Sequence, residues 1–288
     1  MKLNLHSIIA IGWLLSPLAS IAQSPVLPAF SDDNWSSLGG SPGANNQVNA
    51  SVVDASGNLY IGGSFTGVGE TKANYIAKWD GNSWSALGSG LNGQVNALAL
   101  SGSDLYAGGN FTTAGGGEAT NIAKWNGSSW TALGSGMNSN VFALAVSGND
   151  LYAGGAFTMA GGVAATNIAK WDGNNWSALR SGMNSNVYAL AVSGSDLYAG
   201  GAFTTAGGIA ATNIAKWTGS NWTALGSGVG YYSSFGYNEV YALAVSGSDV
   251  YIGGRFTTVS GVLANGIAKW NGNSWSCLLY TSPSPRDS

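Results

Sequence analysis

The chain of 288 residues carries 10 basic and 13 acidic side chains, which gives a formal net charge of −3. Nucleic-acid binding requires a basic surface, so this charge balance argues against that class of partner. His6 and Cys277, near the two ends, are the single His and the single Cys of the chain. The sequence between them therefore excludes catalytic triads and the usual zinc sites.

The first 22 residues have the pattern of a secretory signal peptide. Lys2 supplies a positive charge, residues 8–18 are mostly apolar, and Ser20 and Ala22 are the small residues of a cleavage site. The apolar run is too short to span a bilayer, although an uncleaved anchor is the alternative. We therefore expect cleavage after Ala22, a secreted or cell-surface protein with no membrane span after cleavage, and a linker over residues 23–33.

A repeated phrase occupies most of the remaining chain. The spacing between successive copies is 46, 46, 46 and 53 residues, a period that is typical of repeat architectures. The first Trp of each copy is Trp79, Trp125, Trp171, Trp217 and Trp270.

Each copy contains four short apolar runs, which in the second copy cover residues 95–100, 104–111, 121–125 and 129–133. A Gly that follows Asn or Asp between such runs favours hairpins. A helical repeat of this period is excluded because Gly-Gly stands one residue after Tyr in every copy, and Gly weakens a helix interior. Tyr, Val, Phe, Trp and Thr dominate the runs, as strands prefer.

The pattern predicts an all-β fold, a β-propeller with one four-stranded blade per repeat over residues 34–276. Five blades are complete, and residues 34–39 are an orphan N-terminal strand that resembles the fourth strand of a blade. Since the fifth copy already has its own fourth strand, we expect six or more blades in the intact protein. Residues 277–288 break the repeat and resemble translated sequencing-adapter DNA, so we expect a non-native tail there.

Aromatic residues recur at fixed positions of the repeat. Exposed Trp could form a carbohydrate platform, but a position that recurs in every blade is more simply explained by packing between blades. The same interpretation applies to Tyr60, Tyr106, Tyr152, Tyr198 and Tyr251. We assign to the structural core Trp79, Trp84, Trp125, Trp130, Trp171, Trp176, Trp217, Trp222, Trp270 and Trp275.

Lys and Asp also recur, and two interpretations are open. Lys78, Lys124, Lys170, Lys216 and Lys269 could form a cationic ring that binds an anion. They could instead form bridges between strands or blades with recurring acidic residues, and this interpretation is favoured. Those residues are Asp104, Asp150, Asp196 and Asp249, with Asn58 in the first copy.

Departures from the repeat indicate candidate ligand-binding residues. An insertion over residues 229–239 accounts for the seven extra residues before the fifth blade, and insertions in repeat proteins often map to the binding face. A loop that only packs on itself is the alternative. Two acidic residues in the Gly-rich loops between second and third strands are expected on the same face. The candidates are Tyr231, Tyr232, Phe235, Tyr237, Glu70 and Glu118.

The phrases LYAGGNFTTAGG and NIAKWNGSSWTALGSG resemble the kelch-like propeller repeats of secreted bacterial proteins, many of which carry a sorting domain for type IX secretion. They are also similar to the fungal cortical cell-polarity marker family. The resemblance covers residues 34–276 and implies a propeller without catalytic residues. The kelch architecture of galactose-oxidase-like enzymes would need copper ligands that are missing between residues 34 and 276.

We expect no catalytic residues, no cofactor and no metal site, and hence a protein that is not an enzyme. The first hypothesis is a secreted or cell-surface scaffold that binds a glycan or a protein partner. The alternatives are an accessory propeller of a larger secreted enzyme and a structural spacer or adhesin. The sequence does not predict an oligomeric state.

Overall fold

The computed structural model describes residues 43–230 and 238–278. Twenty of its strands form five four-stranded antiparallel sheets, and each sheet follows the chain in simple up-and-down order. This confirms the predicted all-β fold of propeller blades. The orphan strand predicted over residues 34–39 lies outside the described residues, and the expectation of six or more blades stays a prediction.

The strands of the five blades begin and end at equivalent points of the repeat. Blade 1 contains Val48–Val53, Leu59–Gly63, Ile76–Trp79 and Trp84–Ala86. Blade 2 contains Gln94–Ser101, Asp104–Asn110, Ile122–Trp125 and Trp130–Ala132. Blade 3 contains Val141–Ser147, Asp150–Gly155, Ile168–Trp171 and Trp176–Ala178. Blade 4 contains Val187–Ser193, Asp196–Gly201, Ile214–Trp217 and Trp222–Ala224. Blade 5 contains Glu239–Ser246, Asp249–Arg255, Ile267–Trp270 and Trp275–Cys277.

The last strand of blade 5 differs slightly from the predicted boundary at Ser276. Cys277 belongs to that strand, pairs with Ala268 and takes the place that Ala86 has in blade 1. The repeat register therefore continues one residue into the segment that the sequence marks as a tail.

A small hairpin joins the second and third strands of every blade, where the sequence indicated only a Gly-rich loop. In blade 2, Gly115 and Gly116 form its tip with positive φ angles of 62° and 84°, which suits a two-residue turn. The two arms of these hairpins are Gly67–Val68 with Thr71–Lys72, Thr113–Ala114 with Gly117–Glu118, Met159–Ala160 with Val163–Ala164, Thr205–Ala206 with Ile209–Ala210, and Thr258–Val259 with Val262–Leu263.

The connections between blades lie against these hairpins. A buried residue of each connection forms a β-bridge to the hairpin of the next blade, as Leu91 does with Ala114 and Met137 with Ala160. The hairpins, the connections and the start of each first strand therefore lie on one side of the molecule, which we call the hairpin face.

The core lies between consecutive blades. One cluster joins Tyr106 and Ile122 of blade 2 to Val141, Phe157 and Trp176 of blade 3, and all five side chains are buried. Burial of such apolar surface is the main stabilising term of the fold, at about 25 cal/mol per Å². Each blade therefore completes its core only with a neighbour.

A glycine in each second strand allows the close approach between blades. A Cβ on Gly154 of blade 3 would lie 2.6 Å from Cγ1 of Val187 in blade 4, and Val187 is fully buried. The equivalent Gly253 of blade 5 faces no following blade among the described residues, and its Cβ would meet only the Cβ of Ala242 at 3.6 Å. Ile267 on the same blade is 38% exposed, whereas its counterpart Ile168 is fully buried.

These two glycines are a matched pair for testing the contact between blades. We expect Gly154→Ala to lower the free energy of unfolding by about 1–3 kcal/mol, because the added methyl group would clash with the buried Val187 of the next blade. Gly253→Ala should be neutral or stabilising by up to about 1 kcal/mol, because Gly is costly inside a strand. Urea denaturation of the two variants measures both values, and equal destabilisation would contradict the packing interpretation.

Candidate functional site

Each first strand carries a β-bulge directly after a Val, on the side of the hairpin face, and this Val is buried in blades 2 to 5. The pairing register shifts there in all five blades, so one residue per blade is left out of the ladder. Bulges re-aim side chains and are frequent next to binding sites. The bulge row, as we call these residues, consists of Asn49, Asn96, Phe142, Tyr188 and Tyr241.

In blades 1 and 2 the bulge row connects neighbouring blades. The side-chain Nδ2 of Asn49 donates a hydrogen bond to the carbonyl of Val95 at 2.9 Å, and that of Asn96 donates to the carbonyl of Val141 at 2.9 Å. Hydrogen bonds of this kind contribute about 1 kcal/mol each. These two Asn residues therefore have a structural role.

In blades 3 to 5 the same positions are aromatic. The ring centroids of Phe142 and Tyr188 are 5.5 Å apart and tilted by 48°, and those of Tyr188 and Tyr241 are 5.6 Å apart and tilted by 45°. Tyr241 is 49% exposed, and the other two rings are half-buried. We call these three residues the aromatic row.

Polar groups surround the edges of the aromatic row. The side-chain amide of Asn186 donates to the hydroxyl of Tyr188 at 3.2 Å, and the hydroxyl of Tyr241 donates to the carboxylate of Glu239. The hydrogen bond to Glu239 raises the pKa of Tyr241 to about 12. Arg255 is the register partner of Glu239 on the neighbouring strand, so a residue of opposite charge lies across from this carboxylate.

The candidate residues from the sequence fall into two groups. Glu70 and Glu118 are exposed on the hairpins of blades 1 and 2, and therefore lie on the hairpin face. The four aromatic candidates, Tyr231, Tyr232, Phe235 and Tyr237, lie outside the described residues.

Both ends of the insertion lie on the hairpin face. Val229 and Gly230 pair with Val259 and Thr258 of the blade 5 hairpin. The carbonyl of Asn238 accepts a hydrogen bond from the side chain of the buried Asn213 at 2.8 Å. The chain therefore leaves and re-enters the blades at the face that carries the aromatic row.

The ten repeated Trp residues lie in the third and fourth strands and pair within each blade, with ring centroids 5.3 to 5.5 Å apart. The second Trp also reaches the preceding blade, as Trp176 Nε1 donates to the carbonyl of Leu133 at 2.9 Å and Trp222 Nε1 to that of Leu179 at 3.1 Å. Trp176, Trp217, Trp222 and Trp275 are buried and the other six are half-buried.

The recurring Lys residues form ion pairs within blades. Lys170 Nζ lies 3.0 Å from Asp150 Oδ2, and equivalent bridges join Lys124, Lys216 and Lys269 to the Asp of their own second strand. In blade 1, where Asn58 replaces the Asp, Lys78 Nζ lies 5.7 Å from the centroid of the Tyr60 ring. The prediction of Lys–Asp bridges is confirmed, and four of the five cations are neutralised by a carboxylate.

The described residues contain no group of three or more His, Cys, Asp or Glu side chains placed to hold a metal ion. Within the same ranges, no helix has the length and apolar character needed to cross a membrane.

Sequence reasoning missed the bulge row. The aligned copies do carry a signal, because they read Asn, Asn, Phe, Tyr and Tyr at this position while the neighbouring Val and Ala are the same in all five. Phe and Tyr are also ordinary strand residues, so the sequence of one strand does not reveal the bulge that sets this position apart.

A family model described as the Rax2 C-terminal beta propeller domain matches residues 27–187. A search of curated proteins found no match. Among solved structures, the extracellular domain of the one-component system BT4673 from B. thetaiotaomicron superposes with a TM-score of 0.56 at 12% identity, covering 82% of this chain and 29% of that one.

Two further solved structures have a similar fold. The computationally designed Ika8 protein has a TM-score of 0.51 at 20% identity, with 81% of this chain and 61% of that chain covered. The WD40 β-propeller domain of Doa1 has a TM-score of 0.51 at 14% identity, with 79% and 76% covered. At these identities the likeness shows the fold alone.

The ion pairs and buried tyrosines predict a loss of stability at alkaline pH. The hydrogen bond to Asp150 raises the pKa of Lys170, and burial raises the pKa of Tyr152. Folded chains therefore hold these protons more tightly than unfolded ones, whose pKa values are about 10. This stabilisation is complete below about pH 10 and is lost as the pH rises through the folded pKa values.

Urea midpoints between pH 8 and pH 11.5 test this expectation. The fourfold variant D104N, D150N, D196N and D249N should show a shallower decline, because a single partly exposed ion pair contributes little but all four act in the same direction. A variant with the same pH profile as the natural chain would show that the ion pairs do not cause the decline.

Proposed function

Because the chain belongs to the Rax2 C-terminal beta propeller domain family, we propose that it is a non-enzymatic, secreted or cell-surface scaffold that binds a glycan or protein partner on its hairpin face. The fold and family are those of a β-propeller domain. Export is supported by the signal-peptide pattern of residues 1–22.

One observation carries this proposal: the blades share their junction residues and differ on the hairpin face. The second arm of the hairpin presents Thr71–Lys72 in blade 1, Gly117–Glu118 in blade 2 and Val262–Leu263 in blade 5. The bulge row varies on the same face, and the insertion begins and ends there. Insertions and exposed side chains that differ from repeat to repeat on one face are typical of a binding surface.

The chemistry of the chain supports binding rather than catalysis. General acid–base catalysis needs a positioned group whose pKa lies near the working pH. In the blades, the recurring Asp and Lys residues are used in ion pairs with one another. Tyr241, the one side chain near the aromatic row with a strongly shifted pKa, is moved to about 12 and therefore away from neutrality.

Substitutions on the hairpin face test the proposal. The double variant Tyr231→Ala and Tyr232→Ala should weaken binding without lowering the unfolding midpoint, because both residues belong to an insertion that the other copies of the repeat lack. The full chain is screened on a glycan array and against a phage-displayed peptide library, and the affinity for each hit is measured by calorimetry.

A matched control lies on the opposite face, where the turn between the third and fourth strands of blade 3 exposes Asn174. Asn174→Ala should leave the affinity unchanged. If only Asn174→Ala weakens binding, the binding site lies on the face opposite the hairpin face and the proposal is wrong. If the chain binds no glycan and no peptide, the alternative of a structural spacer is favoured.

A further inference from the structure

We propose that the aromatic row, Phe142, Tyr188 and Tyr241, is a stacking platform for a neutral saccharide. This inference rests on the proposed function and deepens it, since it names the residues and the ligand class. It concerns described residues only and does not depend on the insertion.

The fold does not require an aromatic side chain at the bulge of the first strand. Blades 1 and 2 use Asn at the same bulge, and Asn96 hydrogen-bonds the next blade. Phe142 has no hydrogen-bond donor for such a link, and yet the first strands of blades 2 and 3 share one register and one bulge. A change from Asn to an aromatic side chain therefore replaces a hydrogen bond between blades with a contact between rings.

The aromatic row differs in exposure from the aromatic side chains of the core. The other aromatic side chains of blade 3 serve packing, because Tyr152 and Phe157 are buried and Trp171 and Trp176 pair with each other. The rings of the aromatic row instead keep solvent-accessible surface on the hairpin face, with Tyr241 at 49%. Large, rigid aromatic surfaces with polar tips bind ligands with little loss of side-chain entropy.

The rings of the aromatic row are regularly spaced. The centroids of successive rings are 5.5 and 5.6 Å apart and the ring planes are tilted by 48° and 45°, so the three rings form a continuous row but not a flat surface. The apolar C–H face of a pyranose stacks on such a ring. A row of rings at a regular spacing suits a short chain of sugar units, because neighbouring units can stack on neighbouring rings.

Hydrogen-bonding groups lie beside the aromatic row. Sugar hydroxyl groups require hydrogen-bond partners beside the stacking surface, and a site of this kind combines aromatic walls with a few placed polar groups. The edges of the row supply the Tyr188 hydroxyl with Asn186, and the Tyr241 hydroxyl with Glu239. Glu239 and Arg255 lie opposite each other across the strands, which leaves no net charge to recruit an ionic sugar.

A protein partner has a different surface available on the same face. The hairpins of blades 3 to 5 expose apolar side chains without adjoining polar groups of this kind, including Val163 at 43%, Ile209 at 39% and Leu263 at 64%. Because this surface is separate from the aromatic row, substitutions can distinguish the two ligand classes.

The test uses the full chain and four soluble probes, cellohexaose, maltohexaose, mannohexaose and chitohexaose, with affinities measured by calorimetry. The informative variants are F142N and Y188N, because Asn is the residue that blades 1 and 2 use at the same bulge, and Y241A at an exposed position. We expect binding of at least one probe, and a loss of affinity of about tenfold in each variant.

Two further variants serve as controls. Y241F keeps the ring and removes the hydroxyl, so it should lose less affinity than Y241A. Leu263→Ala lies on the hairpin of the same blade and should bind the saccharide like the natural chain. Unfolding midpoints measured on every variant separate a loss of binding from a loss of structure.

The outcomes separate this inference from the proposed function. If all four saccharides fail to bind while displayed peptides bind and L263A weakens them, the row is not a saccharide site but the hairpin face is still a binding surface. If a saccharide binds and F142N, Y188N and Y241A leave its affinity unchanged, the site assignment is wrong. If neither saccharides nor peptides bind, both proposals fail.

Discussion

The close approach between a glycine of one blade and a valine of the next is the contact on which the rest of the structure depends. A side chain at the glycine would lie about 2.5 Å from the valine Cγ1 at four successive junctions. The buried Tyr, the Trp–Leu hydrogen bond and the β-bridge from connection to hairpin all cross the same junction, so they form only when the two backbones are this close. The pairs are Gly62 with Val95, Gly108 with Val141, Gly154 with Val187, and Gly200 with Val240. Stability is then nearly a sum of nearest-neighbour terms.

The repeat period predicted the blades well because the same two positions of the repeat, a Gly and a Val, form each junction between blades. In the second copy the predicted first strand, residues 95–100, differs from Gln94–Ser101 by one residue at each end. The sequence did not predict the hairpin at Gly115 and Gly116, because strands of two residues are too short to show the alternation of apolar and polar residues. A bulge is equally hidden, since it is defined by two residues of one strand facing one residue of its partner, and that register does not exist in a single strand.

The charged and aromatic positions of the repeat show which residue roles can be predicted from the sequence and which require the structure. A Lys in every copy and an Asp in four of them allowed either a ring or a set of bridges. The pairing of Tyr152 with Lys170 across the strands is what brings Lys170 within 3.0 Å of Asp150. Glu70 and Glu118 were identified because they break the repeat. Phe142 and Tyr188 break it too, but each is a plausible strand residue, and its meaning depends on the bulge that turns it out of the ladder.

The separation between junction and face explains how one scaffold can carry a local binding site. Because the stabilising contacts are the same at every junction, the position after the buried Val can be Asn in one blade and Tyr in another without changing the backbone. Symmetry of the fold therefore does not impose symmetry on the ligand. Blades 1 and 2 offer amides that are already used between blades, whereas blades 3 to 5 offer rings with free surface. A ligand recognised by stacking would therefore lie off the centre of the row of first strands, over the later blades.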